Sequence, residues 1–158
     1  LSGAEIFVKS GANLNTRDAF YQTPLFDVCL RGHVEIAKYL VDSGADVNTQ
    51  NENYEKPLFG PCRRGYLEIV KYLVSSGADV NVQDIDYYTP LLASSENGKF
   101  KIVKYLVNSG ADVNIEDSTG ADLLMATLLA GRPDVTEVLV NNGVEFEKEY
   151  TYLGSNSR

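Results

Sequence analysis

Glu68 to Asn81 reads EIVKYLVSSGADVN, and this stretch decides the fold because it has near-copies on either side. Glu35 to Asn48 reads EIAKYLVDSGADVN and Lys101 to Asn114 reads KIVKYLVNSGADVN, each displaced by 33 residues. A looser copy, Gly-Ala-Asn-Leu-Asn, stands one step further back at Gly11 to Asn15, and a degraded one stands a step forward at Gly143 to Glu147. Self-similarity at a fixed period of this size is the mark of a chain built from stacked supersecondary units.

Working outward, Thr23-Pro24-Leu25, Lys56-Pro57-Leu58 and Thr89-Pro90-Leu91 keep the same spacing. Thr23 and Thr89 can cap a helix whose first residue is proline, where a missing N–H costs nothing. That helix should stop near Gly32, Gly65, Gly98 or Gly131, since glycine commonly ends helices. A second helix follows. Ile36, Leu40 and Val41 are apolar at helical spacing, as are Ile69, Leu73 and Val74, and Ile102, Leu106 and Val107. It ends at Gly44, Gly77 or Gly110, and Ala-Asp-Val-Asn leads into a polar turn.

The 33-residue period, Thr-Pro-Leu, the glycine before the second helix and Gly-Ala-Asp-Val-Asn together resemble the ankyrin-repeat family over nearly the whole chain. The resemblance implies an all-α solenoid of stacked helix–turn–helix units with projecting β-hairpin or turn fingers. The expected layout is one domain over 1–147, with a partial unit at 1–15 and full units at 16–48, 49–81 and 82–114. A divergent, cap-like unit at 115–147 and a tail at 148–158 complete it. Because the front unit is half present and the chain begins at Leu1, an excerpt from a longer protein is expected. Leu25, Leu58, Leu91 and Leu124 from the first helices and Leu40, Leu73, Leu106 and Leu139 from the second should form the core. In the second full unit, Gly60 and Pro61 interrupt the first helix, which should be distorted or shortened.

The net charge of −8 argues against nucleic acid, which is bound through Lys and Arg at phosphates. It equally disfavours anionic membrane, and no apolar run is long enough for membrane insertion. Cys29 and Cys62 occupy equivalent positions in neighbouring units. Stacked helices lie about 8–10 Å apart, too far for a disulfide, so free core thiols are expected, as suits an intracellular, cytoplasmic protein. His33 is the one histidine, and the Tyr66 and Lys99 of the next units mark its place as a helix start rather than a ligand position. Asp46, Asp79 and Asp112 each stand as the one acid of a turn, whereas calcium takes about 6–8 oxygens. No metal, cofactor or catalytic residue is therefore expected, and the chain reads as a monomeric module binding another protein rather than as an enzyme.

In the family it resembles, partners contact the finger tips and the exposed face of the first helices. Carried over by position, that surface holds Ala19, Phe20, Tyr21, Gln22, Leu30 and Arg31 in the first full unit. Glu52, Asn53, Tyr54, Glu55, Arg63 and Arg64 follow in the second, and Ile85, Asp86, Tyr87, Tyr88, Glu96 and Asn97 in the third. Tyr21, Tyr54 and Tyr87 stand where the family usually has glycine, as Gly120 still does. A turn there often needs positive φ, which bulky residues resist, so fingers of a different turn type are expected. The rings either lock adjacent fingers together or form a ladder offered to a partner. Arg31, Arg63 and Arg64 should cluster and could anchor a partner carboxylate or phosphate, with Glu52, Glu55, Asp84, Asp86 and Glu96 as an acidic border. Tyr39, Tyr72 and Tyr105 read as framework packing. Asn48, Asn81 and Asn114 resemble the context in which ankyrin asparagines are hydroxylated, although a hydrogen-bonded turn suffices on its own to explain them. Two further readings stay open: a regulatory segment of a larger enzyme or channel, and a domain binding a small anionic ligand.

Overall fold

The computed structural model describes residues 2–116, 118 and 122–144. The tail expected at 148–158 lies outside the described residues. The order is α1 (Ser2–Lys9), α2 (Pro24–Arg31), α3 (Val34–Asp42), α4 (Phe59–Arg64), α5 (Leu67–Ser75), α6 (Pro90–Glu96), α7 (Phe100–Asn108), α8 (Leu123–Leu129) and α9 (Pro133–Asn141). Each first helix packs on its own second helix, and the pairs then stack. The first helices α2, α4, α6 and α8 form one row and the second helices α1, α3, α5, α7 and α9 form another. The chain is thus an all-α stack of paired short helices.

Three of the first helices, α2, α6 and α8, begin where a side-chain oxygen caps them. Thr23 accepts from the Phe26 N–H at 3.4 Å and Thr89 from the Leu92 N–H at 3.2 Å. In the fourth unit Asp122 accepts from the Met125 N–H at 2.7 Å, so the divergent Asp-Leu-Leu keeps the capping chemistry with a different residue. The second unit has Lys56 at this place, and its helix α4 has no side-chain cap. It runs only from Phe59, two residues later than its neighbours start, which puts Pro61 in the first turn where its missing N–H has no intrahelical acceptor to lose. The shortened helix expected from the sequence is present. Gly60 has a separate role: a Cβ there would lie 3.1 Å from the Leu30 Cα, so glycine lets α4 approach α2 closely.

All eight expected core leucines are buried, in one continuous cluster that also includes Ile69, Val103 and Val135. Cys29 and Cys62 are buried and free. Burial pushes the Cys29 thiol up to about 12 and raises that of Cys62 as well, so both stay protonated and unreactive at neutral pH. No helix among the described residues is long and apolar enough to cross a membrane.

The glycines between paired helices carry the stacking. Gly32 has φ of 78°, and a Cβ there would come within 2.7 Å of the Tyr66 ring from the next unit. Gly98 has the same relation to Arg132, at 2.4 Å. Gly131 also has positive φ, 64°, but has nothing within 4 Å. Gly32→Ala should therefore cost about 2–4 kcal/mol, combining a left-handed backbone penalty with overpacking, against about 1 kcal/mol for Gly131→Ala. Urea unfolding of the two variants checks the difference.

Candidate functional site

Five-residue fingers project between the units. In each, the first residue (Asp18, Asn51 or Asp84) uses its Oδ1 to accept two backbone N–H groups. Asp18 takes those of Phe20 at 2.8 Å and Gln22 at 2.9 Å. Asn51 takes those of Asn53 at 2.9 Å and Glu55 at 3.0 Å. Asp84 takes those of Asp86 and Tyr88, both at 2.9 Å. The backbone closes the same loop, with the first N–H reaching the fifth carbonyl at 3.0 Å and the fourth N–H reaching the first carbonyl at 3.1 Å in all three. This turn places its fourth residue in the left-handed region. Tyr21, Tyr54 and Tyr87 sit there with φ of 60°, 61° and 61°. The expectation of a different turn type is thus corrected: tyrosine adopts the strained conformation because a side-chain oxygen that accepts two N–H groups and two backbone–backbone hydrogen bonds hold the loop around it.

The fingers are also joined to one another. Phe20 C=O accepts from the Glu52 N–H at 3.2 Å, Asn53 C=O from the Ile85 N–H at 3.0 Å, and Asp86 C=O from the Ser118 N–H at 2.9 Å. Among the described residues the fingers are hydrogen-bonded turns rather than extended hairpins, and β-pairing is limited to one isolated bridge between Glu116 and Asp122. Behind the fingers a second ladder runs through the asparagines. Asn15 Oδ1 accepts from the Asp46 N–H at 2.9 Å, Asn48 Oδ1 from the Asp79 N–H at 3.1 Å and Asn81 Oδ1 from the Asp112 N–H at 2.8 Å. Asn48 and Asn81 donate their Nδ2 to the Gly77 and Gly110 carbonyls at 2.9 and 3.0 Å. These asparagines therefore tie one unit to the next instead of closing their own turns. Asp46, Asp79 and Asp112 do the latter, each accepting the N–H two residues on.

The finger tips expose apolar surface. Phe20 is 58% exposed, Tyr21 57%, Tyr54 52%, Ile85 57% and Tyr87 58%, which makes a strip across three successive fingers. Ile85 belongs to this strip on the same footing as the aromatics. Asn53 and Asp86 are exposed beside it, whereas Gln22, Glu55 and Tyr88 are half-buried at the finger bases. Tyr88 donates its hydroxyl to Glu96, and burial together with that bond pushes its pKa up. Burial likewise raises the Asp84 carboxyl, against the pull of the N–H groups of Tyr88 and Asp86.

The three arginines do not act as one cluster. Arg63 is paired with Glu55 at 3.0 Å, near Tyr88. Arg31 is paired with Asp27, its Nε lying 2.9 Å from both carboxylate oxygens. Arg31 and Arg64 share a groove with Asp27, Leu30, His33 and Tyr66. Among the second helices, Tyr72 donates its hydroxyl to Asp42 and lies under the Lys38 ammonium at 5.7 Å from the ring centre, which ties α5 to α3. Among the described residues no three His, Cys, Asp or Glu side chains gather as a metal site.

A sequence profile of the family described as Ankyrin repeats (3 copies) matches residues 1–84 and 80–150. No curated protein matches the chain.

If the finger tyrosines serve a partner rather than the fold, Tyr54→Gly should unfold within about 1 kcal/mol of the parent. Relief of the left-handed strain offsets the extra freedom of the unfolded chain. A loss above about 2 kcal/mol in chemical denaturation would show instead that the ring locks the fingers.

Proposed function

The chain belongs to the ankyrin-repeat family, and we propose that it is a non-catalytic module that holds a partner protein along its fingers and the adjoining first helices. The observation that carries this reading is the strip of Phe20, Tyr21, Tyr54, Ile85 and Tyr87, each more than half exposed on backbone that is hydrogen-bonded within and between fingers. Large apolar side chains lose solvent favourably when a partner covers them, and aromatic residues dominate contact energies at such surfaces. A fixed backbone reduces the ordering cost that mobile loops would add on binding. Asn53 and Asp86 beside the strip, with Glu52 at its edge, offer polar contacts and set a negative rim that favours a partner with complementary charge.

Replacing Tyr54, Ile85 and Tyr87 together by Ser should abolish capture of partners from extracts of the source cells, by well over tenfold, while thermal unfolding stays within a few degrees of the parent. Lys104→Ser, on the second helix, should leave capture unchanged. Equal capture by the finger variant and the parent would refute the role assigned to the strip.

A further inference from the structure

The groove between the first two complete helix pairs, α2 with α3 and α4 with α5, carries a local excess of positive charge. The chain carries 22 acidic and 14 basic residues, yet this groove of about 520 Å³ is lined by two arginines, Arg31 and Arg64, and one acid, Asp27. The N-terminal groove pairs Arg17 with Asp18 and Asp27, and the C-terminal one sets Arg132 against Glu137, so neither has a positive excess. The excess is local to the first two full units, because the positions one and two steps further on hold Asn97 and Ala130.

Its donors are also available. Asp27 holds the Arg31 Nε at 2.9 Å, which fixes the direction of that guanidinium and leaves its two terminal nitrogens without an intramolecular partner among the described residues. Arg64 makes no hydrogen bond or ion pair among the described residues. His33 caps α3 by position but makes no side-chain capping bond. The Tyr66 ring packs against Gly32 and lines the groove. A guanidinium fork matches the two oxygens of a planar carboxylate. Charge chooses the occupant: two arginines against one aspartate leave one positive charge, which a single carboxylate balances, whereas a phosphate monoester carries about −1.5 to −2 and would face Asp27.

We propose that this groove receives a glutamate or aspartate side chain from an acidic segment of the partner protein, with Arg64 as the carboxylate fork and Arg31 as its oriented neighbour. The proposal rests on the interaction-module reading and names the chemistry of part of the partner. The test is NMR of the full chain at low salt with acetylated, amidated hexaglutamate as probe. Shifts should concentrate on Arg31, His33, Arg64 and Tyr66, and the affinity should fall about tenfold or more in Arg64→Glu. Lys104→Glu should leave it unchanged. Should Arg64→Glu fail to fold, Arg64→Gln takes its place with a smaller loss in the same direction. Hexaserine should produce no shifts at the groove. Equal shifts with hexaserine, insensitivity to Arg64 replacement, or groove shifts with inorganic phosphate but not with hexaglutamate would each overturn the assignment. The finger variant carrying Ser at positions 54, 85 and 87 should still bind hexaglutamate, so loss of partner capture with that binding intact bears on the finger strip and not on this groove.

Discussion

A pair of short helices cannot bury its apolar face alone, and everything else in this protein follows from that constraint. The residue at the same place in successive first helices shows it directly. Cys29, Cys62 and Ser95 are fully buried under the next helix pair, whereas Leu128 in the last described pair is 54% exposed. Burial of roughly 25 cal/mol per Å² of apolar surface drives the stacking. Apolar contact is non-directional, however, and would tolerate some sliding. Register comes from directional bonds: the Asn15, Asn48 and Asn81 amides that each clasp the following unit, and the finger carbonyls that take the next finger's N–H.

That division of labour links the core to the surface. The leucines set the spacing, the asparagines set the alignment, and the fingers inherit both. An aromatic residue held at φ near 60° is costly in a free loop, but here the turn is closed by its first side chain and bonded to its neighbours. Tyr21, Tyr54 and Tyr87 are then presented at fixed intervals with little freedom left to lose. The charge pattern adds direction, since the groove sets Arg31 and Arg64 against one acid in a chain of net charge −8.

Much of the framework was legible in the residues because it depends on local rules. Thr23 and Thr89 announce helix caps, the glycines announce helix ends, and the spacing of Leu40, Leu73 and Leu106 announces a buried stripe. Pro61 signalled a shortened helix for a reason internal to its own turn. The missed features depend on neighbouring units. The asparagine amides bond to residues 31 positions away, and nothing in a single turn distinguishes that from a self-closed one. Gly60 looked like a weak helix position and is a close approach to Leu30. The arginines look adjacent in sequence, yet Arg63 turns to Glu55 while Arg64 enters the groove with Arg31. For the finger tyrosines a usable signal was present: Asp18, Asn51 and Asp84 recur three residues earlier, and such side chains stabilise turns that require left-handed residues.

The central claim is that the stack extends, bond by bond, out to the fingers and makes them a rigid platform. Amide hydrogen exchange on the native protein tests it, because Glu52 and Ile85 are surface residues whose N–H groups should exchange freely unless the neighbouring finger holds them. Ala19 occupies the same place on the first described finger, where its N–H has no carbonyl acceptor among the described residues, and serves as the internal reference. Slow exchange at Glu52 and Ile85 with fast exchange at Ala19 is the predicted result. Exchange at all three at the rate of an open loop would contradict the account.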